Sequence, residues 1–317
     1  MELRDIEYFA VIAEHGHLGR AAEALGLGQP ALSLSLRRLE TSAGAKLVKR
    51  TPKGVELTGV GQALLSHVRR LRLAREDLAR EISDLAHGQA GQLRVGATPV
   101  IANGPLPSAC TTLLKTAPRA SLNVSITATT AVMLEALRRG ELDLVVSQLR
   151  DVPREGLVRE LLWEDEFVVY ASTRHRLAKR RSVALADLVG QRWAATAAAG
   201  FLAWNSLHQV FVERGLPAPE FAVVSDSMVL NGRMVASLDL LGHAPRRSLD
   251  AIADNLGLKP LRVTDAKWIR PVAVIYRKDG YLSPIAGRFV GILKNMATEI
   301  AANEGGAAPV AVQTRTV

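Results

Sequence analysis

The chain contains a single cysteine, Cys110, so no internal disulfide can form and no thiolate cluster can hold a metal. Cys110 is expected to pack as a small apolar side chain in a reducing compartment. Long apolar runs are missing too. No stretch approaches the ~18 uninterrupted apolar residues of a membrane span, and the chain opens MELRDIEYFA rather than with a basic and then apolar signal segment. The expectation is a cytoplasmic protein with no membrane partner. The histidines His15, His17, His67, His87, His175, His208 and His243 are scattered, without the i, i+4 spacing and carboxylate of a helical metal site. A Gly-x-Ser-x-Gly elbow, a phosphate-loop lysine and a dinucleotide glycine fingerprint are absent as well. Acidic pairs such as Asp165–Glu166, or Glu141 with Asp143, read as surface or strand-end features. These absences point away from catalysis, and from a bound metal or cofactor.

What the sequence does supply is apolar content and positive charge. Hydrophobic residues make up 48% of the 317, enough for folded cores and, on the usual size range, for two domains. The net charge is +9 at pH 7, which points to an anionic partner once the charge is located. Residues 16–72 hold ten Lys or Arg against three acidic residues, a surplus of seven. Residues 91–317 hold 27 against 20, the same surplus over about four times the length. That density assigns the nucleic-acid surface to the N-terminal segment.

The N-terminal segment reads as short helices. Leu3, Ile6, Phe9, Ala10 and Ala13 fall at helical spacing and predict a first helix over residues 3–14. Leu18, Ala21, Ala22 and Leu25 give the next helix a narrow face made mostly of alanine, which lets a neighbour approach closely. Gly26 and Gly28 free the backbone for a sharp turn, and Pro30 presets the first turn of a third helix. There Leu32, Leu36, Leu39 and Ala43 lie within about 40° of one another at ~100° per residue and form the buried face. The opposite face carries Pro30, Ser33, Leu34, Arg37, Arg38 and Thr41. A leucine seam behind and two arginines in front suit the major groove of DNA, where arginine pairs with guanine or meets phosphate. A small helical hairpin with a solvated basic face would carry the same pattern.

After Gly44, the runs Leu47–Val48 and Val55–Glu56–Leu57 are β-prone and separated by Pro-Lys-Gly, which predicts a hairpin, or wing. Lys49, Arg50 and Lys53 sit at or near its tip with no acid before Glu56, which favours phosphate or minor-groove contact over a merely solvated hairpin. The order and spacing of RAAEALGLGQPALS, RRLE and LVKRTPKGVELTGVGQALL resemble the winged helix-turn-helix of the LysR-type transcriptional regulators. The resemblance implies a reader of double-stranded DNA that uses Gln29, Pro30, Ser33, Leu34, Arg37, Arg38, Lys49, Arg50 and Lys53. Two positions depart from the family's pattern. Gly28 stands where a serine usually caps the second helix of the motif, at a cost of roughly a few tenths of a kcal/mol. Leu34 stands where a basic residue is common; it either packs on a thymine methyl in the groove or lies flat against a neighbouring helix.

From Gln62 onward Leu64, Val68, Leu71, Leu78, Ile82 and Leu85 alternate steps of four and three, with Arg75 in the remaining seam position. Leucine at every seventh place and charged flanks leave a narrow seam, the pattern of a long helix that pairs with another. A single amphipathic helix lying on its own domain is the alternative. Pairing would set two readers about a two-fold axis, matching the half-sites of a near-palindromic operator, and Arg75 would weaken the pair or set its register. His87-Gly88-Gln89-Ala90-Gly91 ends the helix. The expected division is a reader over 1–58, a linker and dimerisation helix over 59–88, a second domain over 89–302 and a disordered tail over 303–317.

The second domain changes character. Leu93, Val95 and Ala97 alternate as a strand, 105–115 read as a helix, and Leu122, Val124 and Ile126 alternate again. A helix over Val132 to Arg139 then leads into a nearly continuous apolar run at 142–146, which fits a buried parallel strand. This is βαβαβ, hence α/β. A further unit has strands at 167–170, 192–194 and 223–224, helices near 204–214 and 228–240, a strand over 272–276 and a closing helix over 285–300. GELDLVV, the Val235–Pro245 segment and WIRPVAVIYR resemble, more loosely, the LysR-type effector-binding domain, whose two α/β lobes look like a periplasmic solute-binding protein. The resemblance implies lobe I over 89–162 and 267–302, lobe II over 163–266, and a cleft between them.

Strand-to-helix junctions at such a cleft expose backbone N–H groups that attract anions. Thr98 follows the first strand, and Thr129–Thr130 precede the helix near Val132. The resemblance implies that hydroxyls at Thr98 and Thr130 hold a small effector, often a carboxylate, with Ser147 nearby and Thr196 and Phe201 facing them from lobe II. For Thr129 a plain helix cap is an equal reading. The small, weakly polar run Ala194 to Gly200 would leave that half of the site roomy. The resulting reading is a regulator that binds DNA, a small organic anion and itself, as a dimer or a dimer of dimers, and that engages RNA polymerase without a cofactor. A regulator independent of any effector, its second domain serving oligomerisation, is the alternative. An exported solute-binding protein would leave the N-terminal third unexplained.

Overall fold

The computed structural model describes residues 1–52, 54–87, 91–127, 129–149, 152–195 and 202–303, and the chain divides into two compact units at Arg80/Glu81. The first unit holds α1 (Leu3–His15), α2 (Leu18–Ala24), α3 (Gln29–Ala43), β1 (Val48–Thr51), β2 (Gly54–Leu57) and the first part of α4 (Gly59–His87). Its core is formed by Phe9, Ile12, Ala21, Leu32, Leu39 and Leu47 together with Leu65 and Val68 of α4. The alanine face of α2 is buried in this core, consistent with the close approach its small side chains allow.

β1 and β2 pair antiparallel from Val48↔Leu57 to Thr51↔Gly54, so the hairpin is a wing. Val55 N–H donates to Gly16 O at 2.8 Å, tying the wing to the turn between α1 and α2. Thr58 closes its base: the hydroxyl donates to Lys46 O at 2.7 Å and accepts from Gly61 N–H at 3.0 Å. A Cβ on Gly61 would stand 2.0 Å from Leu47 O, so the start of α4 can touch the wing only through glycine.

The second unit contains β3 (Gln92–Ala97), α5 (Pro99–Ala102), α6 (Leu106–Thr116), β4 (Ser121–Ile126), α7 (Thr130–Arg138) and β5 (Leu144–Gln148). It continues with β6 (Leu157–Ser172), β7 (Arg192–Ala195), α8 (Leu202–Glu213), β8 (Glu220–Val224), α9 (Met228–Ser237) and β9 (Leu241–Pro245). α10 (Arg246–Leu256), β10 (Leu258–Pro260), β11 (Trp268–Arg277) and α11 (Pro284–Asn303) complete it. The strands form one sheet in the order β4-β3-β5-β11-β6-β9-β7-β8, with β10 paired to β6 off that path. β3 runs parallel to β4 and β5, and β7 runs parallel to β8 and β9. β6 and β11 pair antiparallel with each other, β11 with β5 and β6 with β9. Two parallel half-sheets, each an α/β lobe, are thus joined along a two-strand seam.

The sequence predicts a strand at 167–170. β6 starts ten residues earlier, at Leu157, and runs for 16 residues, roughly 50 Å at ~3.3 Å per residue. Its first part pairs with β11 and its last part with β9, so it carries the chain from one half to the other. β9 and α10 were not anticipated. The sequence LGHAP is rich in residues that strands avoid, yet all five are buried. Gly242 is required there because a Cβ would lie 2.0 Å from the Tyr170 ring.

Candidate functional site

On α3, Leu32, Leu36 and Leu39 are buried, Gln29, Pro30, Leu34, Arg37 and Arg38 are exposed, and Ser33 is half-buried. Leu34 is 56% exposed, so it does not lie flat against another helix of this chain. Lys49 and Arg50 are exposed on β1. Lys53, at the tip of the wing, lies outside the described residues.

Two carboxylates that the sequence reading passed over organise this surface. Asp5 of α1 is buried and accepts hydrogen bonds from Ser35 Oγ at 2.5 Å and Arg38 Nη2 at 2.7 Å. The Arg38 bond, aided by Ser35 and opposed by burial, holds the Asp5 carboxyl below the ordinary carboxylate range. Arg38, 46% exposed in its side chain, therefore positions α3 on α1 as well as facing outward. Arg37 has no such inward commitment. Glu40, also buried, accepts from Leu47 N–H at 3.0 Å and Lys46 Nζ at 2.7 Å. Burial pushes its carboxyl up, but the Lys46 and backbone hydrogen bonds outweigh burial and leave it lowered. The recognition helix is thus fixed to α1 by one buried acid and to the wing by another. A signal was present, since Glu40 is one of three acids among residues 16–72.

The seam of α4 divides. Leu64 and Val68 pack into the core of the first unit. Arg75 Nη1 donates to Glu7 at 2.8 Å, and Arg72 Nη1 to Glu14 at 2.8 Å, so Arg75 is engaged by α1. Beyond them Leu71, Leu78, Ile82 and Leu85 remain 52–81% exposed, an apolar ridge along the helix.

In the second unit, Thr98 follows β3 and precedes α5 but makes no side-chain cap bond, and its Oγ1 is buried without a partner. Thr130 Oγ1 and the fully buried Ser147 Oγ are 2.9 Å apart, so two of the anticipated residues meet. The parallel register pairs Ala97 with Val146 and with Ile126. Thr98 and Ser147 therefore leave adjacent strands at the same level. Thr129 is exposed and precedes α7 without a side-chain cap bond, which is not the plain-cap arrangement. Thr196 and Phe201 lie outside the described residues. Ser248 Oγ of α10 donates to Val100 O of α5 at 3.0 Å, a contact between the two halves that the sequence did not single out.

Residues 3–62 match the model of the bacterial regulatory helix-turn-helix protein, lysR family, and residues 86–298 match that of the LysR substrate binding domain. The chain belongs to the LysR family. As a LysR-type protein it is a DNA-binding transcriptional regulator with an effector-binding domain, and not an enzyme. It is 33% identical over 260 residues to the SDS degradation transcriptional activation protein of Pseudomonas sp. (strain ATCC 19151), over 80% of this chain and 81% of that one. It is 34% identical over 217 residues to the regulator ShiR of Corynebacterium glutamicum (strain R), over 68% and 73% of the two chains. A full-length OxyR variant from Pseudomonas aeruginosa shares the fold at a TM-score of 0.62 and 24% identity, over 100% of this chain and 99% of that one. Full-length CbnR complexed with its target DNA does so at 0.60 and 22%, over 93% and 99%. Among the described residues of this LysR-type regulator, no helix is long and apolar enough to cross a membrane. Cys110 packs at the edge of the lobe I core, where burial raises its thiol above the ordinary range.

Proposed function

We propose that this regulator is a ligand-controlled dimer that reads a near-palindromic operator, and that a small organic anion at the strand-to-helix junctions of its second domain shifts how the paired readers engage DNA. The reader is assigned to residues 1–58, the pairing helix to 59–88 and the effector-binding domain to 89–302. The observation that carries the ligand reading is Thr98 Oγ1, a buried hydroxyl without a partner. Such a group costs about 1–3 kcal/mol, which a carboxylate oxygen accepting its proton would recover. Thr130 and Ser147 stand ready beside the adjacent strand ends, and the backbone N–H groups opening α7 favour negative charge. Thr196 and Phe201 would close the site from the other half. For regulation, the effector must bind one setting of the two halves better than the other.

Calorimetric titration of small carboxylic acids tests this reading. A ligand of the wild type is expected to bind Thr98→Val about tenfold more weakly, the equivalent of ~1.4 kcal/mol. Unchanged affinity removes Thr98 from the site.

On DNA, Arg37, Lys49, Arg50 and Lys53 supply phosphate and guanine contacts, with Gln29, Pro30 and Ser33 beside them and Arg38 held in place by Asp5. Leu34 packs on a thymine methyl. Leu34→Arg is expected to shift the base preferred at one step of each half-site in a selection from random DNA. The same preference in both proteins would take Leu34 out of the groove. The dimer pairs further into a dimer of dimers and meets RNA polymerase, acting in the cytoplasm without a cofactor.

A further inference from the structure

A cavity of about 420 Å³ lies along the seam of the second unit, bounded by the end of β5, the first residues of β11 and α8. Thr98, Thr129, Thr130 and Ser147 do not line it. Successive side chains of a strand face opposite sides of the sheet, so Gln148, which does line it, points away from Ser147.

The polar groups of this cavity have one character. Arg270, 7% exposed, lies with its guanidinium 4.9 Å from the centre of the Phe167 ring and donates to Gln148 Oε1 at 3.3 Å. That bond orients the amide and leaves Gln148 Nε2 buried without a partner. Trp268, also buried and also lining the cavity, has an Nε1–H without a partner. An indole N–H, an amide NH₂, a guanidinium and the Lys267 ammonium are all donors and never acceptors. Their complement is a ligand that supplies acceptors alone, an anion.

The charges narrow the class further. Lys267 and Arg270 are positive, and Glu213 on the rim is negative, with its Oε1 already held by Gln209 Nε2 at 2.7 Å. The lining therefore carries a surplus of one positive charge. A monoanion neutralises it, whereas a dianion overshoots and meets Glu213. Val210 and Pro271 add apolar wall, and the volume falls low in the ~300–1,000 Å³ range of small-molecule sites.

We propose that the seam cavity is a second anion site, which takes a small monoanionic carboxylate with a planar apolar body, its carboxylate directed at Arg270, Gln148 and Trp268. Its position gives it a regulatory consequence. β11 carries the chain between the halves, and an occupant touches β5 of one half and α8 of the other. Occupancy then stabilises one setting of the halves and, granted the junction site proposed above, couples to it by linkage.

The test uses the full-length protein labelled with ¹⁵N at the tryptophan indoles and sodium benzoate as the probe. The Trp268 Nε1–H resonance is the one missing from Trp268→Phe. Benzoate is expected to move it saturably, with Gln148→Leu and Arg270→Gln each weakening the response at least about tenfold and Thr98→Val leaving it unchanged. The phthalate dianion and sulfate are expected to bind at least about tenfold more weakly than benzoate. Absence of a saturable shift up to roughly 50 mM benzoate, or a shift that survives in Gln148→Leu, overturns the proposal. Loss of the shift in Thr98→Val overturns it too, because benzoate would then be sitting at the junctions. If Arg270→Gln does not fold, Gln148→Leu decides, since it removes the donor and leaves the buried charge in place.

Discussion

Glutamate at both Leu78 and Ile82 is expected to leave this regulator a monomer near its chain mass of 34.1 kDa and to weaken its binding to a two-half-site operator by about a hundredfold or more. Leu71, Leu78, Ile82 and Leu85 are each more than half exposed. Covering that remainder on two helices yields roughly 7–14 kcal/mol before costs, at ~1.5–3 kcal/mol per fully buried side chain. Association itself costs ~4–15 kcal/mol. The ridge is therefore decisive without being generous, and four carboxylates placed across it shift the balance to the separate chains. Glutamate is a good helix former, so α4 persists and each reader keeps its fold. Binding to a single half-site and far-ultraviolet dichroism should match the wild type, which separates lost pairing from lost structure. A dimer by light scattering in the double variant would place the pairing surface elsewhere.

Mild acid should unfold the second unit because of His243. This residue is buried on β9 with its ring centre 5.3 Å from that of Phe167 and 5.0 Å from that of Trp268, and neither ring nitrogen has a hydrogen-bond partner. Burial, and after it the positive charge of Arg270, pushes its pKa down to about 3 from 6.5. The native state keeps it neutral while the unfolded chain protonates it near pH 6.5, so the unfolded state binds the extra proton. Stability is full above pH 6.5 and falls as the pH drops toward 3, by ~1.4 kcal/mol per unit. Between pH 6.5 and 4 the loss is on the order of 3 kcal/mol. His243→Phe keeps an aromatic ring in place and removes the titration. Its urea midpoint, followed by tryptophan fluorescence, should fall much less than that of the wild type over this interval, and parallel pH curves would contradict the assignment. Asp5 and Glu40 act in a different window. Their lowered carboxyls contribute stability that is complete above the ordinary carboxylate range and disappears as the pH falls through their depressed values.

The reader was legible because its helices carry the period of their own buried faces: Leu32, Leu36 and Leu39 announce the inner side of α3 and leave Leu34 and Arg37 outside. What periodicity could not reveal was the purpose of polar residues that turn inward. Ser35, Arg38 and Glu40 look like surface residues in the sequence, and Asp5 and the backbone of Leu47 give them buried partners. The seam strands were obscured for a related reason. Glu164, Asp165 and Glu166 interrupt the apolar pattern of β6, yet Asp165 is buried against Trp163 Nε1 and Arg247. In β9, Gly242 and His243 read as a loop because the strand depends on the Tyr170 ring filling the place of a side chain. The threonine junctions were found from their positions at strand ends, whereas the Arg270 cavity had no sequence motif, since it is assembled from β5, α8 and β11.

The division of the α4 seam makes the regulator sensitive to helical phase. Leu64 and Val68 grip the reader, and Leu71 begins the ridge three residues later. A residue inserted between Val68 and Leu71 would turn the ridge by ~100° relative to the reader and advance it by ~1.5 Å. Four residues would bring it back near its original face, displaced by about 6 Å. The spacing between half-sites that an operator must offer is therefore set by the short stretch of one helix between Val68 and Leu71.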